Sequence, residues 1–514
     1  MSYSVVWFKR DLRIHDHAAL AQAVAAGPVL CVFCIEPALW RQADAATQHY
    51  RFMIESLRDL WTSLRSVGLQ LQVVTEDAPD FLARLYAAAP FTALYSHQET
   101  GNDASFQRDR AVAQWCRRHQ LAWHELPQFG VQRGRANRDA WSRHWHRQMG
   151  SPQAETADSY RAQSVALPWA EPPPPDAEAL GLAQADKPAR QLGGRVAGMQ
   201  LLRSFIQSRS RQYRGGISSP LRAVDACSRL SPYLAWGCLS VREVWQSVEL
   251  ARNGPPPLEA KQMAGLAAFG SRLHWHCHFI QKLESEPSIE FANMHRGYDG
   301  LRESEHNPAH FAALVAGRTG WPLVDACVAM LRQTGWLNFR MRAMLVSVAA
   351  YPLWLHWRPV GEWLATEFLD YEPGIHWSQM QMQSGTTGIN TARIYNPIKQ
   401  AQDQDPEGQF VRHWLPAMRK VPDAWLFEPW RMPADMQARC GLRVGGEDAD
   451  LPVPLVDLEQ ATRLAKARLF QLRARPDVKA AKAAIVQQHG SRNLVRKRSR
   501  AAPGMAAPAQ LELL

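Results

Sequence analysis

The residues best suited to chemistry lie within 334–397. Arg340 and Arg342 stand in a run of apolar residues at helical spacing. Arginines embedded in such a face need an anion or a carboxylate partner, because an unpaired buried charge is very costly. The acidic residues Asp370 and Glu372 offer that partner, or they accept hydrogen bonds from a ligand. This stretch therefore predicts a polar site inside an apolar helical region.

The composition of the chain bounds its class. Its 514 residues are enough for two or three domains, and a hydrophobic content of 46% is ample for a buried core. The chain has no run of eighteen apolar residues, and its N-terminus runs directly into a strand pattern. We therefore expect no membrane span, no signal peptide and a cytoplasmic location. The eight cysteines are scattered, which argues against a disulfide framework.

The chain is strongly basic, with a net charge of +11 and a pI of about 9.4. A basic surface favours polyanionic partners, nucleic acid first. The alternative is that the Lys/Arg-rich segment 465–500 raises the total without forming a binding surface. Charge alone leaves both interpretations open.

Strand and helix patterns alternate through the first part of the chain. The near-continuous apolar run at 28–35 is typical of a buried parallel strand. The alternation predicts a doubly wound α/β domain at 1–130, and because it lacks G-x-G-x-x-G we assign no Rossmann dinucleotide site there. Beyond residue 130, a Pro- and Ala-rich composition predicts an extended linker at 131–195, and helical periodicity predicts an all-α domain at 196–475. The basic composition of the last residues predicts a flexible tail at 476–514.

Four groups of motifs occur in the same order as in a known family. They are V-V-W-F-K-R-D-L-R at 5–13, S-R-L-S-P-Y-L at 228–234, N-P-A-H at 307–310 with G-W-P-L-V-D-A at 320–326, and T-G-W at 334–336 with R-M-R at 340–342, D-Y-E at 370–372 and R-I-Y-N-P at 393–397. In this pattern the chain resembles the photolyase/cryptochrome family. The resemblance implies an α/β antenna domain, a long linker and an all-helical FAD-binding domain.

The resemblance also implies one bound FAD. Ser228, Ser231 and the backbone between them would face its phosphates at a helix start, where backbone amides favour anions. Arg342 would pair with Asp370 and lie against the isoalloxazine ring, while Asp370 and Glu372 would face the adenine ribose and the flavin edge. The alternative for the Arg342–Asp370 pair is a purely structural buried ion pair. The implied cofactor-binding residues are Tyr213, Ser228, Arg229, Leu230, Ser231, His276, Trp336, Arg342, Asp370, Glu372 and His376.

Several positions depart from the family pattern. The position facing flavin N5 is normally Asn and is His376 here, a residue that could donate to or protonate N5 in a pH-dependent way. Arg272 replaces a Glu that contacts the damaged pyrimidine, and His276 replaces a flavin-side Arg. His274 and His278 have a spacing that can bind zinc. Because no carboxylate or Cys at a matching spacing completes such a site, we expect no metal.

The residues that form the family's electron-transfer chain also differ in this sequence. Three tryptophans carry electrons from the surface to the flavin in the family, and Trp357 stands at the middle station here. Met380 and Ser304 occupy the two flanking stations, and methionine is a poor hole carrier. A bypass, or reduction of the flavin by other means, stays open. The tryptophans that could form a bypass are Trp336, Trp354, Trp363 and Trp377.

A second chromophore is the next expectation. Asn102 and Asp103 follow a predicted strand, where folate-binding members have an Asn-Glu pair. An antenna folate, an antenna deazaflavin and an empty pocket all stay open.

The first function that the resemblance implies is that of a deoxyribodipyrimidine photolyase-like lyase. Electron transfer from excited, reduced FAD would split a UV-induced pyrimidine dimer in DNA. Trp275 and Met382 fall where repairing members contact the flipped dinucleotide, and Arg340 and Arg393 would anchor DNA phosphates. The residues implied in the reaction itself are Arg272, Trp275, Trp357 and Met382.

The alternative is a cryptochrome-type blue-light photoreceptor without repair activity. Arg272, Met382 and the interrupted tryptophan chain favour it, whereas the net charge of +11 weakly opposes it. In either case we expect a monomer.

Overall fold

The chain is described here from a computed structural model. The structure describes residues 2–134, 137–155, 163–182, 184–446 and 448–491. Among the described helices, none is both long and apolar enough to cross a membrane.

A five-stranded parallel sheet forms the centre of the N-terminal domain. Its strands are β1 (Ser4–Phe8), β2 (Val29–Cys34), β3 (Leu71–Val74), β4 (Ala93–His97) and β5 (Ala122–Leu126). They lie in the order β3-β2-β1-β4-β5, and every residue of β1 and β2 is buried. Continuous burial is expected of parallel strands that helices cover on both faces. The predicted doubly wound α/β domain is confirmed.

Helices pack on both faces of this sheet. They are α1 (Ala18–Ala26), α2 (Pro37–Trp40), α3 (Thr47–Arg65), α4 (Ala78–Ala88) and α5 (Asp103–Arg118). Val6 and Phe8 of β1 face the core that includes α1 and α3, whereas Val5 and Trp7 face the core that includes α4 and α5. The alternation of β1 side chains thus builds two hydrophobic layers.

The rest of the described chain is helical, as predicted. After α6 (Arg138–Gly150), the helices are α7 (Arg195–Gln207), α8 (Tyr213–Gly216), α9 (Ala223–Ala226), α10 (Ser231–Ala235), α11 (Val241–Asn253), α12 (Ala260–Ser285), α13 (Pro308–Ala316), α14 (Pro322–Thr334), α15 (Phe339–Ala350), α16 (Trp357–Glu367), α17 (Pro373–Ser384), α18 (Pro397–Gln404), α19 (Gln409–Trp414), α20 (Ala434–Cys440), α21 (Leu458–Ala474) and α22 (Pro476–His489). A second core lies around α14, α15 and α16.

The segment 131–195 is not a purely extended linker, because it contains α6. The side chain of Asn137 caps this helix by accepting from the Asp139 backbone N–H. Trp141, Trp145 and Met149 are buried at i, i+4 spacing and form its apolar stripe. This short stripe, overlooked beside the Pro-rich stretch, attaches the segment to the core.

The segment 476–514 also differs from the prediction where it is described. Residues 476–489 form α22, which has Pro476 at its first position and Asp477 in its first turn, both typical of a helix start. Val478 and His489 are buried. The remainder of the predicted tail, from 492 onward, lies outside the described residues.

The helix that carries Arg340 and Arg342 begins later than its apolar pattern suggested. Gly335 ends α14 with φ 66°, and Asn338 precedes α15, so Trp336 and Leu337 lie in the turn between the two helices. The backbone N–H of Leu369 donates to the carbonyl of Gly335 across 2.9 Å. This bond ties the loop before α17 to the start of α15 and places Asp370 beside Arg342.

Candidate functional site

A cavity with about 540 Å³ of empty space, part of it open to solvent, lies between α15, α17 and the loop before α17. Its walls are mostly apolar, with a short polar sector. The lining residues are Phe339, Arg342, Ala343, Val346, Phe368, Asp370, Tyr371, Glu372, Ile375, His376, Gln379, Met380 and Gln383. The cavity therefore brings Arg342, Asp370, Glu372 and His376 together, as the sequence predicted.

Arg342 and Asp370 form a bidentate ion pair at the edge of this cavity. Both N–H···O distances are 2.9 Å, and the Arg342 Nε–H donates to the Leu337 carbonyl across 2.7 Å. Burial alone would raise the pKa of Asp370, but the Arg342 guanidinium and a hydrogen bond from Ser231 hold that pKa below its usual value. The pair is thus a fixed, charged platform.

Glu372 lacks a complete set of partners. Its carboxylate lies 3.7 Å from the Arg10 guanidinium, which comes from the N-terminal domain. In the described part of the chain, nothing donates to its buried Oε1. Burial raises the pKa of Glu372 to about 7. A buried, unsatisfied acceptor in a cavity wall fits a ligand that supplies N–H or O–H groups.

His376 is held in one tautomer. Its Nε2–H donates to the carbonyl of Gly361 across 2.8 Å, which leaves Nδ1 as an acceptor. Burial lowers the pKa of His376 to about 4, so the ring is neutral near pH 7. In the ligand-free protein the ring can therefore accept a hydrogen bond at Nδ1, and its contact with flavin N5 stays a prediction.

The predicted phosphate-binding segment lies beside the ion pair. Ser231 begins α10 and is near enough to Asp370 to lower the pKa of that carboxyl. Arg229 has a left-handed backbone (φ 61°), and its guanidinium stacks on the Trp336 ring at 4.0 Å. The Ser228 hydroxyl accepts only a long bond, 3.5 Å, from the Leu230 backbone N–H. The segment is therefore anchored to the site through Ser231 and Trp336.

The residues expected to contact a DNA lesion are more dispersed. Burial raises the pKa of the Tyr213 hydroxyl, and the nearby Arg272 partly offsets this shift. Trp275 stacks on Phe279 at 5.7 Å, and Met382 is half-buried near the end of α17. As the described residues define it, the 540 Å³ cavity is lined by none of Arg272, Tyr213, Trp275 and Met382.

His276 also lies away from this cavity. Its ring meets Phe129 of the N-terminal domain edge to face at 5.8 Å, and burial lowers its pKa to about 4. Its expected flavin contact has no counterpart in the cavity wall. Because this helix face points at the N-terminal domain, His276 packs the two domains together.

The two arginines expected to bind DNA phosphates differ in exposure. Arg393 is exposed and precedes α18, whereas Arg340 is half-buried near the start of α15. Their phosphate contacts remain predictions.

A second cavity, of about 730 Å³, lies at the carboxyl ends of β1 and β2. Its lining residues are Phe8, Lys9, Arg10, Phe33, Cys34, Glu36, Leu39, Trp40, Asp44, Ala45, His49, Glu99, Gly101, Asn102, Ser105, Arg108, Trp236 and Tyr371. Asn102 is in this wall, and its Nδ2 donates to Asp44. Asp103 is not in the wall, and its backbone N–H donates to Glu290. An antenna contact by Asn102 or Asp103 stays a prediction.

The ionic floor of this second cavity, a group of ion pairs around Arg108, was not predicted from the sequence. The buried Arg108 guanidinium bonds to Glu36 at 2.5 Å, Glu99 at 2.5 Å and Asp109 at 3.0 Å, and it stacks on Trp7. The position at the carboxyl ends of parallel strands is where ligands bind in such sheets, and that rule could have located the cavity. Tyr371 lines both cavities and forms a wall between them.

One group of three potential metal ligands is present in the described residues: Asp11, His17 and His97. His17 Nε2 and His97 Nδ1 each lie 2.9 Å from the Asp11 carboxylate. However, His17 Nδ1 accepts a hydrogen bond from the Leu20 backbone N–H, so the ring proton must be on Nε2. A protonated Nε2 cannot ligate a metal. The three side chains form a buried cluster between β1, α1 and β4, in which His97 Nδ1 is hydrogen-bonded to Asp11.

Two family models match the chain. The model of the FAD-binding domain of DNA photolyase matches residues 269–471, and the DNA photolyase model matches residues 4–129. The first match contains the residues of the 540 Å³ cavity, and the second contains the parallel sheet.

Curated relatives match nearly the whole chain. A cryptochrome DASH of Gloeobacter violaceus is 28% identical over 488 residues, covering 89% of this chain and 93% of that protein. A deoxyribodipyrimidine photo-lyase of Escherichia coli is 26% identical over 485 residues, covering 90% and 97% respectively.

Solved structures share the fold. A Synechocystis cryptochrome has a TM-score of 0.78 at 23% identity, covering 91% of this chain and 99% of that one. A class III photolyase of Agrobacterium tumefaciens has a TM-score of 0.76 at 23% identity, covering 92% and 98%. With the matched domains, the polar cavity and these relatives together, the chain belongs to the photolyase/cryptochrome family, and its helical domain is the FAD-binding domain of that family.

Proposed function

We propose that this protein is a blue-light-dependent DNA lyase that repairs UV-induced pyrimidine dimers. The observation that carries the proposal is the polar sector of the 540 Å³ cavity, where the Arg342–Asp370 pair, the unsatisfied Glu372 Oε1 and the neutral His376 face one space. These groups fit FAD, because its ring edge and ribose offer the donors and acceptors that the cavity lacks. When bound, FAD would supply the light-driven electron.

The chain's own residues then have distinct tasks. The Arg342–Asp370 pair would orient the cofactor, and the apolar wall formed by Phe339, Val346 and Phe368 would exclude water from it. The exposed Arg393 and the net charge of +11 support attraction of DNA. A second chromophore, a folate or a deazaflavin, is proposed for the 730 Å³ cavity, and one structural neighbour is described as a photolyase with two FAD molecules.

A second candidate is a photoreceptor without repair activity. The observation that favours it is the placement of Arg272 near the buried Tyr213 hydroxyl, because a cation stands where repairing members have a lesion-contacting Glu. Relatives of both kinds, named photolyase and cryptochrome DASH, have similar identity to this chain.

One experiment separates these functions. Reduced, FAD-loaded protein is illuminated with oligonucleotides that contain a cyclobutane dimer, a 6-4 product or no lesion, and restored pyrimidines are measured. We expect light-dependent restoration of one lesion type and none in the dark. Trp275→Ala should reduce it, whereas Trp61→Ala, at an exposed tryptophan of α3, should not. Absence of restoration with every lesion would favour the photoreceptor.

A further inference from the structure

A buried arginine with unsatisfied N–H donors lies outside both cavities. The Arg302 side chain is 1% exposed and packs between two aromatic rings, with its Cζ 5.5 Å from the Tyr351 centroid and 4.6 Å from the Trp354 centroid. In the part of the chain that the structure describes, neither Nε nor Nη2 of Arg302 has a hydrogen-bond acceptor. A buried guanidinium in this state is costly, which points to a missing anion.

Two neighbouring donors are unsatisfied as well. The Tyr351 hydroxyl and the Trp354 indole N–H are both buried, and neither has an acceptor among the described residues. The carboxylate next to them, that of Glu303, is already used: one oxygen accepts from the Arg302 backbone N–H at 2.9 Å and the other lies 3.7 Å from His356. Among the described residues, the cluster therefore combines several unsatisfied N–H and O–H donors.

The surroundings of this cluster are positive. Arg468 of α21 lies on the Trp354 ring at 4.8 Å and pairs with Glu305 at 2.7 Å. Arg473, also of α21, donates to the Tyr298 hydroxyl at 3.1 Å. Burial lowers the pKa of Arg302 to about 10, so its guanidinium is still charged at pH 7. Several cations and unsatisfied donors in one place are the composition of an anion site.

The backbone adds an independent sign of a constrained site. Trp354 has φ 52°, a left-handed conformation that is strained for a large side chain. Such strain persists only where the surroundings impose it and is concentrated at ligand sites. Here the constraint keeps the Trp354 ring between Arg302 and Arg468.

We propose that Arg302, Tyr351 and Trp354 form a binding site for a phosphate-type oxyanion. The free Nε and Nη2 donors of Arg302 form one edge of the guanidinium, and that edge matches two oxygens of such an anion. A tetrahedral anion has further oxygens for the Tyr351 hydroxyl and the Trp354 indole, whereas a planar carboxylate has none left. Because Arg302 is almost fully buried, the ligand is a small free anion and not the backbone of DNA. Its binding secures α21 against the helical domain.

The test is thermal unfolding of the FAD-loaded protein in sodium phosphate, compared with sodium chloride at matched ionic strength. Phosphate should raise the Tm of the wild type progressively, by about 2 °C or more at saturation, because it binds only the folded state. Arg302→Met should abolish this rise. Arg463→Met, at an exposed arginine of α21, should retain it. Equal Tm values in the two salts, or an unchanged response of Arg302→Met, would overturn the proposal.

Calorimetric titration with inorganic phosphate keeps the proposal testable if Arg302→Met does not fold. Arg302→Lys retains the charge but loses the two-pronged edge, and its phosphate affinity should fall by about tenfold or more. An unchanged affinity would contradict the assigned geometry. In a parallel arm, a short undamaged oligonucleotide replaces phosphate. If only the oligonucleotide stabilises the protein, and does so through Arg302, the free-anion assignment is wrong and the ligand is a DNA phosphate.

Discussion

The rings of Trp357 and Trp377 lie 6.0 Å apart, centroid to centroid, with their planes inclined by 68°. The Trp377 ring is also 4.9 Å from the ring of His376, which lines the 540 Å³ cavity. Met380, which stands at the flavin-proximal station of the family, lines the same cavity. Trp377 is thus separated from the cavity by the ring of His376, and Trp357 lies behind Trp377. This pair is a candidate electron path that does not include Met380.

The groups around the two rings favour one direction of electron transfer between them. The Arg358 guanidinium lies 4.7 Å from the Trp377 centroid and disfavours a positive charge there. The indole N–H of Trp357 donates to Asn293 Oδ1 at 2.8 Å, which favours a positive charge on that ring. These contacts favour replacement of an electron lost from Trp377 by one from Trp357.

The first prediction is that photoreduction uses Trp377 and then Trp357. Trp377→Phe should lower the initial yield of light-induced reduction by about tenfold, whereas Trp357→Phe should mainly shorten the lifetime of the charge-separated state. Met380→Trp should raise the yield. Trp363→Phe, on the same helix as Trp357, is the control. The measurement is transient absorption after a laser pulse, and rapid photoreduction that both Phe variants leave unchanged would contradict the route.

The second prediction concerns how the protonation of His376 changes the stability of the protein with pH. Its pKa falls from 6.5 in the unfolded chain to about 4 in the folded protein, so the unfolded chain binds more protons between these values. Stability should therefore decrease as the pH falls from about 6.5 to 4, with a slope of up to about 1.4 kcal/mol per pH unit.

Urea unfolding at several pH values checks this slope. His376→Asn removes one titrating group and should reduce the slope in that window by up to about 1.4 kcal/mol per pH unit. The share of the other buried histidines, such as His49 and His276, should remain. The photoreduction yield of the wild type should be constant between pH 6 and 8, since the ring stays neutral there. A yield that titrates near pH 6.5 in the wild type and not in His376→Asn would show that the Gly361 contact does not fix the ring.

Features of this site that depend on nearby sequence could be predicted, whereas those that depend on tertiary contacts could not. The Arg342–Asp370 pair could be predicted because a cation in an apolar helix demands an acid and the motif supplies one. The tautomer of His376 could not, because it depends on the Gly361 carbonyl from another helix. The ionic floor around Arg108 draws carboxylates from β2, β4 and α5 segments that only the fold brings together.

The fold shows the same distinction. Strands such as β2 were evident because continuous apolar runs are unusual outside buried sheets. The helix α6 was missed because its apolar stripe is only three residues, Trp141, Trp145 and Met149, beside Pro-rich sequence. Its attachment depends on tertiary packing, which a local pattern does not reveal.

The third prediction is that FAD binding releases a proton from Glu372. Burial raises the pKa of this carboxyl from 4.5 to about 7, so ligand-free protein retains the proton between these values and loses stability as the pH rises through them. A ligand that donates to Oε1 favours the ionised form. Calorimetric titration of FAD at pH 7 in buffers of different ionisation enthalpy should show proton release by the wild type and none by Glu372→Gln. The half-exposed Glu362 supplies the control, Glu362→Gln, and equal release by both variants would exclude Glu372.

The fourth prediction is that DNA binding depends on phosphate contacts by Arg393 and Arg340. Each neutralised phosphate releases counterions, so the logarithm of the binding constant should fall linearly with the logarithm of the salt concentration. Arg393→Gln should weaken binding to damaged and undamaged duplexes alike and make this slope shallower by about one unit. Arg340→Gln should act in the same direction.

Arg110→Gln provides the matched control for the fourth prediction, because Arg110 is an exposed arginine of α5 in the other domain. Fluorescence anisotropy with labelled duplexes, measured over a range of sodium chloride concentrations, gives the slope for each variant. If the slope becomes shallower by the same amount in the Arg393 and Arg110 variants, the net charge of the chain and not a defined groove attracts DNA. If the wild type does not bind at low salt, or binds with no salt dependence, DNA is not its partner. The Arg272–Tyr213 contact would then be best explained as part of a photoreceptor.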